Sequence, residues 1–301
     1  MITSNAIWKA LEITINTMTT DDLSKKQVCI GPGKLVQIET QKKAFTDDTE
    51  VASTTLLAEK RQGQPMVPED IILGGRKRYL PKTMAKKVTI TEEATEDNDI
   101  PELLRPSQRL LASAYKTQDI DVAGLVIQST AVVGGYDNVV LASTAHVLPT
   151  GGTESNYLNG GVGMTPSVHA LIQAAAMGAL LKGPNGIIDG VTIKLIVCPE
   201  IQRYLWQAII GSDQLPGTNF NDLNVVKDMK LGLLPIKWLD ASSTTQWGLK
   251  TDADNGFRCL MRRKVRSTTW SDPDGEAAHH GVSYRMSLGH SNWRVWIQGS
   301  V

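Results

Sequence analysis

The sequence predicts an α+β fold, and three observations support this prediction. Apolar residues recur at helical spacing over residues 101–128, which indicates a long helix with one broad apolar face. Residues 168–182 form an alanine-rich helical pattern, and the apolar run 190–199 follows it as a buried strand. Charged and apolar residues alternate over residues 257–266, and residues 283–297 predict a pair of strands. The chain thus combines a long helix, a mixed region and closing strands.

The N-terminal third has the weakest core pattern. Residues 1–36 give a short helical pattern and then a strand-like alternation, with few apolar residues to form a core. Residues 34–87 alternate short apolar pieces with polar turns such as Leu73-Gly-Gly-Arg76, and predict a long, solvent-exposed hairpin. Because a two-stranded ribbon is only marginally stable alone in water, we expect adjoining copies of the chain to order this hairpin, since its own body offers no obvious partner.

The central elements have recognisable ends. Lys116 to Asp121 is the polar stretch at which we expect the long helix to be interrupted, and Gly134-Gly135 ends that region. Thr165-Pro-Ser167 predicts the start of the next helix. Residues 200–210 predict an amphipathic helix and residues 223–239 a further strand. Toward the C-terminus, residues 283–297 predict two strands around Gly289.

Charge changes sign abruptly in the middle of the first half. No acid occurs from Ile71 to Thr91, and the bases in this run are Arg76, Lys77, Arg78, Lys82, Lys86 and Lys87. Six acids follow without a base: Glu92, Glu93, Glu96, Asp97, Asp99 and Glu102. Two interpretations remain open. Either both runs face solvent, as charge runs usually do, or the basic and acidic runs meet across subunit boundaries.

Overall composition excludes several classes of protein. The 301 residues contain 31 Lys plus Arg and 31 Asp plus Glu, so no bulk positive field attracts nucleic acid. The three cysteines, Cys29, Cys198 and Cys259, have neither zinc nor redox spacing, which indicates a reducing compartment. No secretory leader and no spanning apolar run are evident. We therefore expect a soluble chain without a membrane partner.

Residues 141–156 form a cassette of small and polar turn residues that can be read as a catalytic loop. Ser143, His146 and Glu154 would be its nucleophile, base and carboxylate in a soluble hydrolase. The chain lacks a Gly-x-Ser-x-Gly elbow, however, and hydroxyl residues in turns usually bond their own backbone. We keep the hydrolase as the alternative function and expect no enzyme activity.

Three further patterns are weak candidates for binding sites. His279-His280 lacks a third metal ligand, so we expect an ordinary loop pair and no metal site. Gly160-Gly-Val-Gly163 lacks the lysine of a phosphate-binding loop, so we expect a flexible connection and no cofactor. One basic cluster is compatible either with contact to DNA or with a solvated or interface-paired strand, and consists of Arg258, Arg262, Arg263, Lys264 and Arg266.

Particular motifs carry a resemblance to a known family. The motifs are Ala142-Ser-Thr-Ala-His146 with Gly151-Gly-Thr-Glu-Ser-Asn156, then Leu195-Ile-Val-Cys-Pro-Glu200, and Tyr284-Arg-Met-Ser-Leu-Gly-His-Ser-Asn-Trp-Arg-Val-Trp296. Together they resemble the major capsid proteins of Mu-like tailed bacteriophages. The resemblance runs from about Lys86 to the end of the chain.

This resemblance implies the Hong Kong ninety-seven type capsid fold. Its parts are an N-terminal arm, an extended E-loop, a P-domain with a spine helix and an A-domain. By their order along the chain, we assign the arm to residues 1–36, the E-loop to 37–88, the P-domain helix region to 89–133, the A-domain to 134–250 and the closing P-domain strands to 251–301.

The resemblance also implies a structural function. We expect a major capsid protein that self-assembles into pentamers and hexamers of an icosahedral virion head, in the cytoplasm of a bacterial host. Its partners would be further copies of itself, portal, scaffolding and decoration proteins, and enclosed double-stranded DNA with weak or no specific binding. An encapsulin-like cellular shell is the second alternative. The expected inter-subunit contact residues are Arg76, Lys77, Arg78, Glu92, Glu93, Trp293 and Trp296.

Overall fold

The computed structural model describes residues 26–52, 56–57, 59–66, 68, 71–91, 93, 100–214, 223–272 and 277–300, with the backbone alone for 100–104 and 107–108. Its helices are α1 (Ile100–Ile127), α2 (Val168–Leu180), α3 (Arg203–Gly211) and α4 (Lys237–Asp240). Its strands are β1 (Ile38–Thr40), β2 (Thr46–Ala52), β3 (Ile72–Tyr79), β4 (Lys82–Thr91), β5 (Val133–Gly134), β6 (Val139–Val140), β7 (His146–Val147), β8 (Thr153–Glu154), β9 (Ile193–Pro199), β10 (Gly232–Ile236), β11 (Trp247–Thr251), β12 (Phe257–Asp272), β13 (Ala277–His290) and β14 (Trp296–Ser300).

Helix α1 is the long helix that the periodicity predicts, and it packs on the first four-stranded sheet, of order β1-β12-β13-β4. Its buried side chains, including Leu111 and Val126, share one cluster with Val282 and Tyr284 of β13. Alternation along β13 places these residues on the helix side and their neighbours on the opposite face. The sequence thus predicted both the helix and the face that it buries.

The expected interruption of α1 at residues 116–121 does not occur, because the helix runs through this stretch. Its polar residues face the chain segment before β1. The Asp119 carboxylate accepts hydrogen bonds from the backbone amides of Val28 at 2.6 Å and Cys29 at 2.7 Å. The Gln118 side-chain oxygen accepts one from the side-chain amide of Gln27 at 3.2 Å. A break in apolar periodicity therefore marks a buried polar contact and not a helix end.

The second four-stranded sheet has the order β10-β9-β11-β14 and lies at the centre of the other lobe. Strand β9 occupies residues 193–199 of the predicted apolar run 190–199. Every residue of β9 except Lys194 is buried. Helix α2 begins where predicted, because the Ser167 side chain caps the Ala170 amide. The predicted helix 200–210 is a short 3-10 turn followed by α3. Residues 223–239 differ from the prediction of one strand, since they form a 3-10 turn, β10 and α4.

The closing strands divide between the two sheets. Strands β12 and β13 pair antiparallel in the first sheet, whereas β14 pairs with β11 in the second. The prediction of two strands around Gly289 was wrong, because Gly289 lies inside β13. A glycine fits this position because of a close contact and not because of a turn, since an added Cβ would lie 3.1 Å from the Tyr79 ring.

The hairpin predicted at residues 34–87 is present, but it does not lack a partner in its own chain. Strands β2 and β3 pair with each other, β1 pairs with β12, and β4 pairs with β13 over ten residues. Leu73-Gly-Gly-Arg76 lies within β3 and not in a turn. A Cβ at Gly75 would lie 1.7 Å from the carbonyl oxygen of Tyr136, so only glycine permits this close backbone approach. The prediction was wrong because β4 exposes one face and buries little, which makes a paired strand look solvated.

Candidate functional site: the turn cassette and the subunit surfaces

The turn cassette is built around a fully buried histidine. The His146 ring lies parallel to the Trp293 ring, with an interplanar angle of 2° and centroids 4.2 Å apart. Its Nδ1 lies 2.5 Å from Asp137 Oδ2 and its Nε2 lies 3.1 Å from Asn156 Oδ1. Both ring nitrogens therefore face oxygen atoms of the same subunit.

Asn156 fixes the orientation of this group. Its amide nitrogen donates to the carbonyl oxygens of Leu141 at 2.7 Å and Trp296 at 2.9 Å, so its Oδ1 faces the histidine and the Ser143 amide. One buried side chain thus joins the cassette to the segment that begins β14. Small and polar residues occur in this cassette because each turn carbonyl and amide needs a buried partner.

The hydrolase alternative fails on this geometry. Ser143 Oγ accepts a hydrogen bond from the Ala145 amide at 3.1 Å, an ordinary turn contact. Glu154 forms an ion pair with Lys182 at 2.9 Å instead of orienting the histidine. Because both His146 nitrogens already have other partners, the ring has no free position from which to activate a serine.

A second polar cluster joins the β2–β3 hairpin to the body. Glu50 of β2 and Arg294 form an ion pair of 3.2 Å with side chains only 10% and 6% exposed. The Tyr79 hydroxyl lies 2.6 Å from Ser291 Oγ, and burial raises the pKa of Tyr79 to about 12. Burial also raises the pKa of Glu50, against the opposing effect of Arg294. The base of the hairpin is therefore held by buried polar contacts.

The described residues hold no group of three or more His, Cys, Asp or Glu side chains that could bind a metal ion. His279 and His280 lie on β13 and not in a loop: His279 contacts Thr89, and buried His280 contacts Ser267 at 2.7 Å. All three cysteines are buried as free thiols, and burial raises the pKa of Cys198 to about 12, so this thiol stays protonated at neutral pH. No helix in the described part of the chain is long and apolar enough to cross a membrane.

Comparison with known families identifies the chain. The family model described as phage capsid protein matches residues 76–290, which include α1, the turn cassette and three of the four strands of each four-stranded sheet. The chain belongs to the phage capsid protein family. No curated protein sequence matches it.

Solved structures support the same fold for this capsid protein. The capsid of cyanophage P-SCSP1u matches with a TM-score of 0.57 at 10% identity, over 88% of this chain and 85% of that chain. The Mycobacterium phage Patience structure matches with a TM-score of 0.56 at 10% identity, over 99% and 89%. The cyanophage Pam1 capsid matches with a TM-score of 0.55 at 11% identity, over 90% and 88%.

These findings confirm the predicted Hong Kong ninety-seven type fold and the predicted function as a phage capsid protein. The protein is a major capsid protein of a tailed phage, a structural protein that self-associates into the virion shell, and it is not an enzyme. The capsid assignment holds although the hairpin has partners within its own chain. The narrower resemblance to Mu-like phages stays a prediction.

The expected contact residues of this capsid protein have different environments. Arg76 and Arg78 are exposed on β3, where both form ion pairs with Asp47 of the neighbouring strand, and Arg78 also lies over the Phe45 ring. Lys77 is half-buried, and burial lowers its pKa. Glu93 is exposed, and Glu92 lies outside the described residues.

The expectation for the two tryptophans needs correction. Trp293 is 2% exposed and Trp296 is 0% exposed within one subunit. Trp293 stacks on His146, and Trp296 contacts the Phe257 ring at 5.9 Å. Their aromatic surface is already used in the core of the subunit, so it is not available to a neighbouring copy.

Sequence reasoning missed the residues that organise these clusters. Asp137 is a single acid in a polar turn and Glu50 closely follows Asp47 and Asp48, and no spacing distinguishes either from surface residues. The one available signal was the conjunction of His146 with Asn156 in a cassette rich in small residues. Such a pattern indicates a well-bonded turn, but its partners come from distant parts of the chain.

Proposed function

We propose that this capsid protein forms the pentamers and hexamers of an icosahedral head that encloses double-stranded DNA and assembles in the cytoplasm of the bacterial host. Residues 1–36 would act as the arm, 37–88 as the E-loop, 89–133 and 251–301 as the P-domain and 134–250 as the A-domain. Portal, scaffolding and decoration proteins would be further partners. The balance of 31 basic and 31 acidic residues supports a wall that binds DNA weakly or without specificity.

The observation that supports this proposal most directly is the far end of the hairpin. Its apolar side chains are 67–99% exposed: Leu56, Leu57, Met66, Ile71 and Leu73. Such a group of exposed large apolar side chains indicates a protein contact. Because the chain is a capsid protein that self-associates, a neighbouring copy is the partner that would cover them. We extend the same proposal to Arg76, Lys77, Arg78, Glu92 and Glu93 as contact residues.

Electron microscopy and sedimentation of the purified chain test the proposal. We expect closed shells or five- and six-membered rings from the wild-type protein. Leu56→Asp/Leu57→Asp should leave the subunit folded and abolish assembly, because it places charges on the contact. Val162→Asp is the matched control, since Val162 is 80% exposed in the other lobe. A wild-type chain that stays monomeric under all assembly conditions would overturn the proposal.

A further inference from the structure

In the described residues, part of the first sheet is exposed on the side opposite α1, and this part is basic. Helix α1 packs on the side that carries Val282, Tyr284 and Met286. The residues between them point the other way, and Arg285 among them is exposed. We use the name basic face for the outward surface formed by Lys87, Arg263, Arg266 and Arg285.

Strand register places these cations in successive rows across β12, β13 and β4. The first row is Arg263, Arg285 and Thr83, and the second is Arg266, Ser283 and Ala85. The third row is Thr268, Gly281 and Lys87, and the fourth is Trp270, His279 and Thr89. No carboxylate occurs in these rows, and the exposed Asp272 lies one row beyond them.

The basic face has a like-charge pair that no carboxylate of the described residues neutralises. Arg263 and Arg285 are directly opposite each other on paired strands, an arrangement that is destabilising by itself. Arg263 donates to Ser283 Oγ at 3.1 Å and Arg285 to the Pro81 carbonyl at 3.5 Å, which are neutral acceptors. Lys87 lies 6.0 Å from the centroid of the Trp270 ring. Within the described residues, none of the four cations forms an ion pair with a carboxylate.

The overall composition does not explain why basic side chains cluster on this face, since the chain has no net charge. Each copy therefore carries as many carboxylates as basic side chains. Six of these carboxylates lie in residues 92–102, which contain no base. The arginines of β3 are a weaker counterpart for these acids, because Arg76 and Arg78 already share Asp47. Charge complementarity thus favours the basic face as the surface that the acidic run contacts.

The topology favours a contact between copies over a contact within one subunit. Residues 92–102 lead from the end of β4 into α1, and α1 lies on the side of the sheet opposite the basic face. A contact between two different surfaces is heterologous and generates closed rings when its rotation closes. Self-association of the chain, which its family establishes, provides the second copy.

We propose that the basic face binds the acidic run 92–102 of a neighbouring copy and so forms a heterologous contact of the shell. This inference rests on the proposed assembly into rings and shells, and it names the two surfaces that meet. The anions of one copy relieve the repulsion between Arg263 and Arg285 of the next. The contact therefore forms only in the assembly.

Charge reversal in trans tests this contact. One variant reverses the face, Arg266→Glu/Arg285→Glu, and a second reverses the run, Glu92→Lys/Glu93→Lys. We expect each variant alone to raise the concentration needed for assembly at least about tenfold, because like charges then meet. An equimolar mixture of the two should assemble near the wild-type concentration, since each face then finds a run of opposite charge. Lys116→Glu/Lys237→Glu, with both changes at exposed positions away from the face, should assemble like wild type.

The possible outcomes separate the explanations. Rescue in the mixture supports a contact between copies. Rescue only when both reversals are in one chain would overturn it in favour of a contact within the subunit. Unchanged assembly of the face variant, with loss of co-purifying DNA, would overturn it in favour of a nucleic-acid surface. A wild-type chain that never assembles would instead refute the proposed function. Urea unfolding of the dissociated variants should match wild type, which shows that the reversals act on assembly and not on folding.

Discussion

Glu50 and Arg294 join the β2–β3 hairpin to the C-terminal part of the capsid protein by an ion pair of 3.2 Å, with side chains 10% and 6% exposed. Arg294 also donates to the Lys182 carbonyl at 2.7 Å. Because the pair is buried, each charge depends on the other for compensation. The orientation of the hairpin base is therefore coupled to the core of the subunit.

Removal of one member of this pair should be costly. We expect Glu50→Ala to lower the free energy of unfolding by about 3–5 kcal/mol, because Arg294 would keep a buried and uncompensated charge. Urea unfolding of the dissociated subunit measures the change. Glu200→Ala is the matched control, since the Glu200–Arg203 pair is exposed and should change stability by less than about 1 kcal/mol. Equal effects of the two substitutions would contradict a structural role for the buried pair.

Two glycines predict opposite effects of the same substitution. Gly248 of β11 lies against Trp296, where an added Cβ would be 2.1 Å from the ring. We expect Gly248→Ala to lower the melting temperature, at a cost on the order of 1–3 kcal/mol, because the ring must move within a packed core. Gly124 of α1 has no heavy atom within 4 Å of its added Cβ, so Gly124→Ala should stabilise the subunit by about 0.5–1 kcal/mol. Calorimetry compares the two, and a stabilised Gly248→Ala would show that the core around Trp296 is loosely packed.

The stability of the turn cassette should depend on the side-chain amide of Asn156 and not on the hydroxyl of Ser143. Asn156→Ala removes the side-chain partner of the carbonyls of Leu141 and Trp296 and of His146 Nε2, so we expect a loss of about 3 kcal/mol or more. Ser143→Ala removes a contact within an exposed turn and should cost less than about 1 kcal/mol. Denaturant unfolding measures both. A larger loss from Ser143→Ala would assign the serine a role that its geometry does not support.

Acidification should destabilise the subunit through His290. Burial lowers the pKa of His290 from 6.5 to about 4, with Lys77 as a further cause. The unfolded chain then binds a proton that the folded chain does not, so the stability linked to His290 is complete above pH 6.5 and is lost as the pH falls toward 4. The full loss is on the order of 3 kcal/mol.

Unfolding free energies between pH 7.5 and 4.5 check this, with His290→Gln as the comparison. The neighbouring titratable groups are Lys77, Asp137 and His146, and the variant keeps all three. We expect the variant to lose less stability on acidification than wild type. Parallel pH profiles would show that His290 does not titrate in this range.

The contact between α1 and the chain segment before β1 can be tested through Asp119. Asp119→Ala removes both hydrogen bonds to the amides of Val28 and Cys29. We expect faster proteolytic cleavage near residue 30 and a stability loss of about 2–4 kcal/mol, because two buried backbone donors lose their acceptor. Lys116→Ala, at an exposed position of the same helix, is the control. Unaltered cleavage in Asp119→Ala would show that the apolar contacts of Leu35 and Val36 suffice to hold the segment.

The sequence by itself determined α1, α2 and α3 and the longer strands of the body, because burial of one face imposes a periodicity that neighbouring residues show. Helix α1, helix α2 and strand β9 follow from such periods. It also indicated the family, since the motif around His146 lies within the matched region and the motif that starts at Tyr284 begins within it. It could exclude a catalytic serine because no elbow motif surrounds Ser143.

Only the tertiary structure decided which distant segments meet. Pairing of β4 with β13, the Glu50–Arg294 ion pair and the burial of Trp293 against His146 join residues far apart in the chain. Local sequence periodicity does not identify these partners. A half-exposed strand or an acid in a polar stretch has the same sequence pattern whether it is paired or solvated. Strand register and core packing choose among them, and they placed the tryptophans in the interior and the arginines on the open face of the sheet.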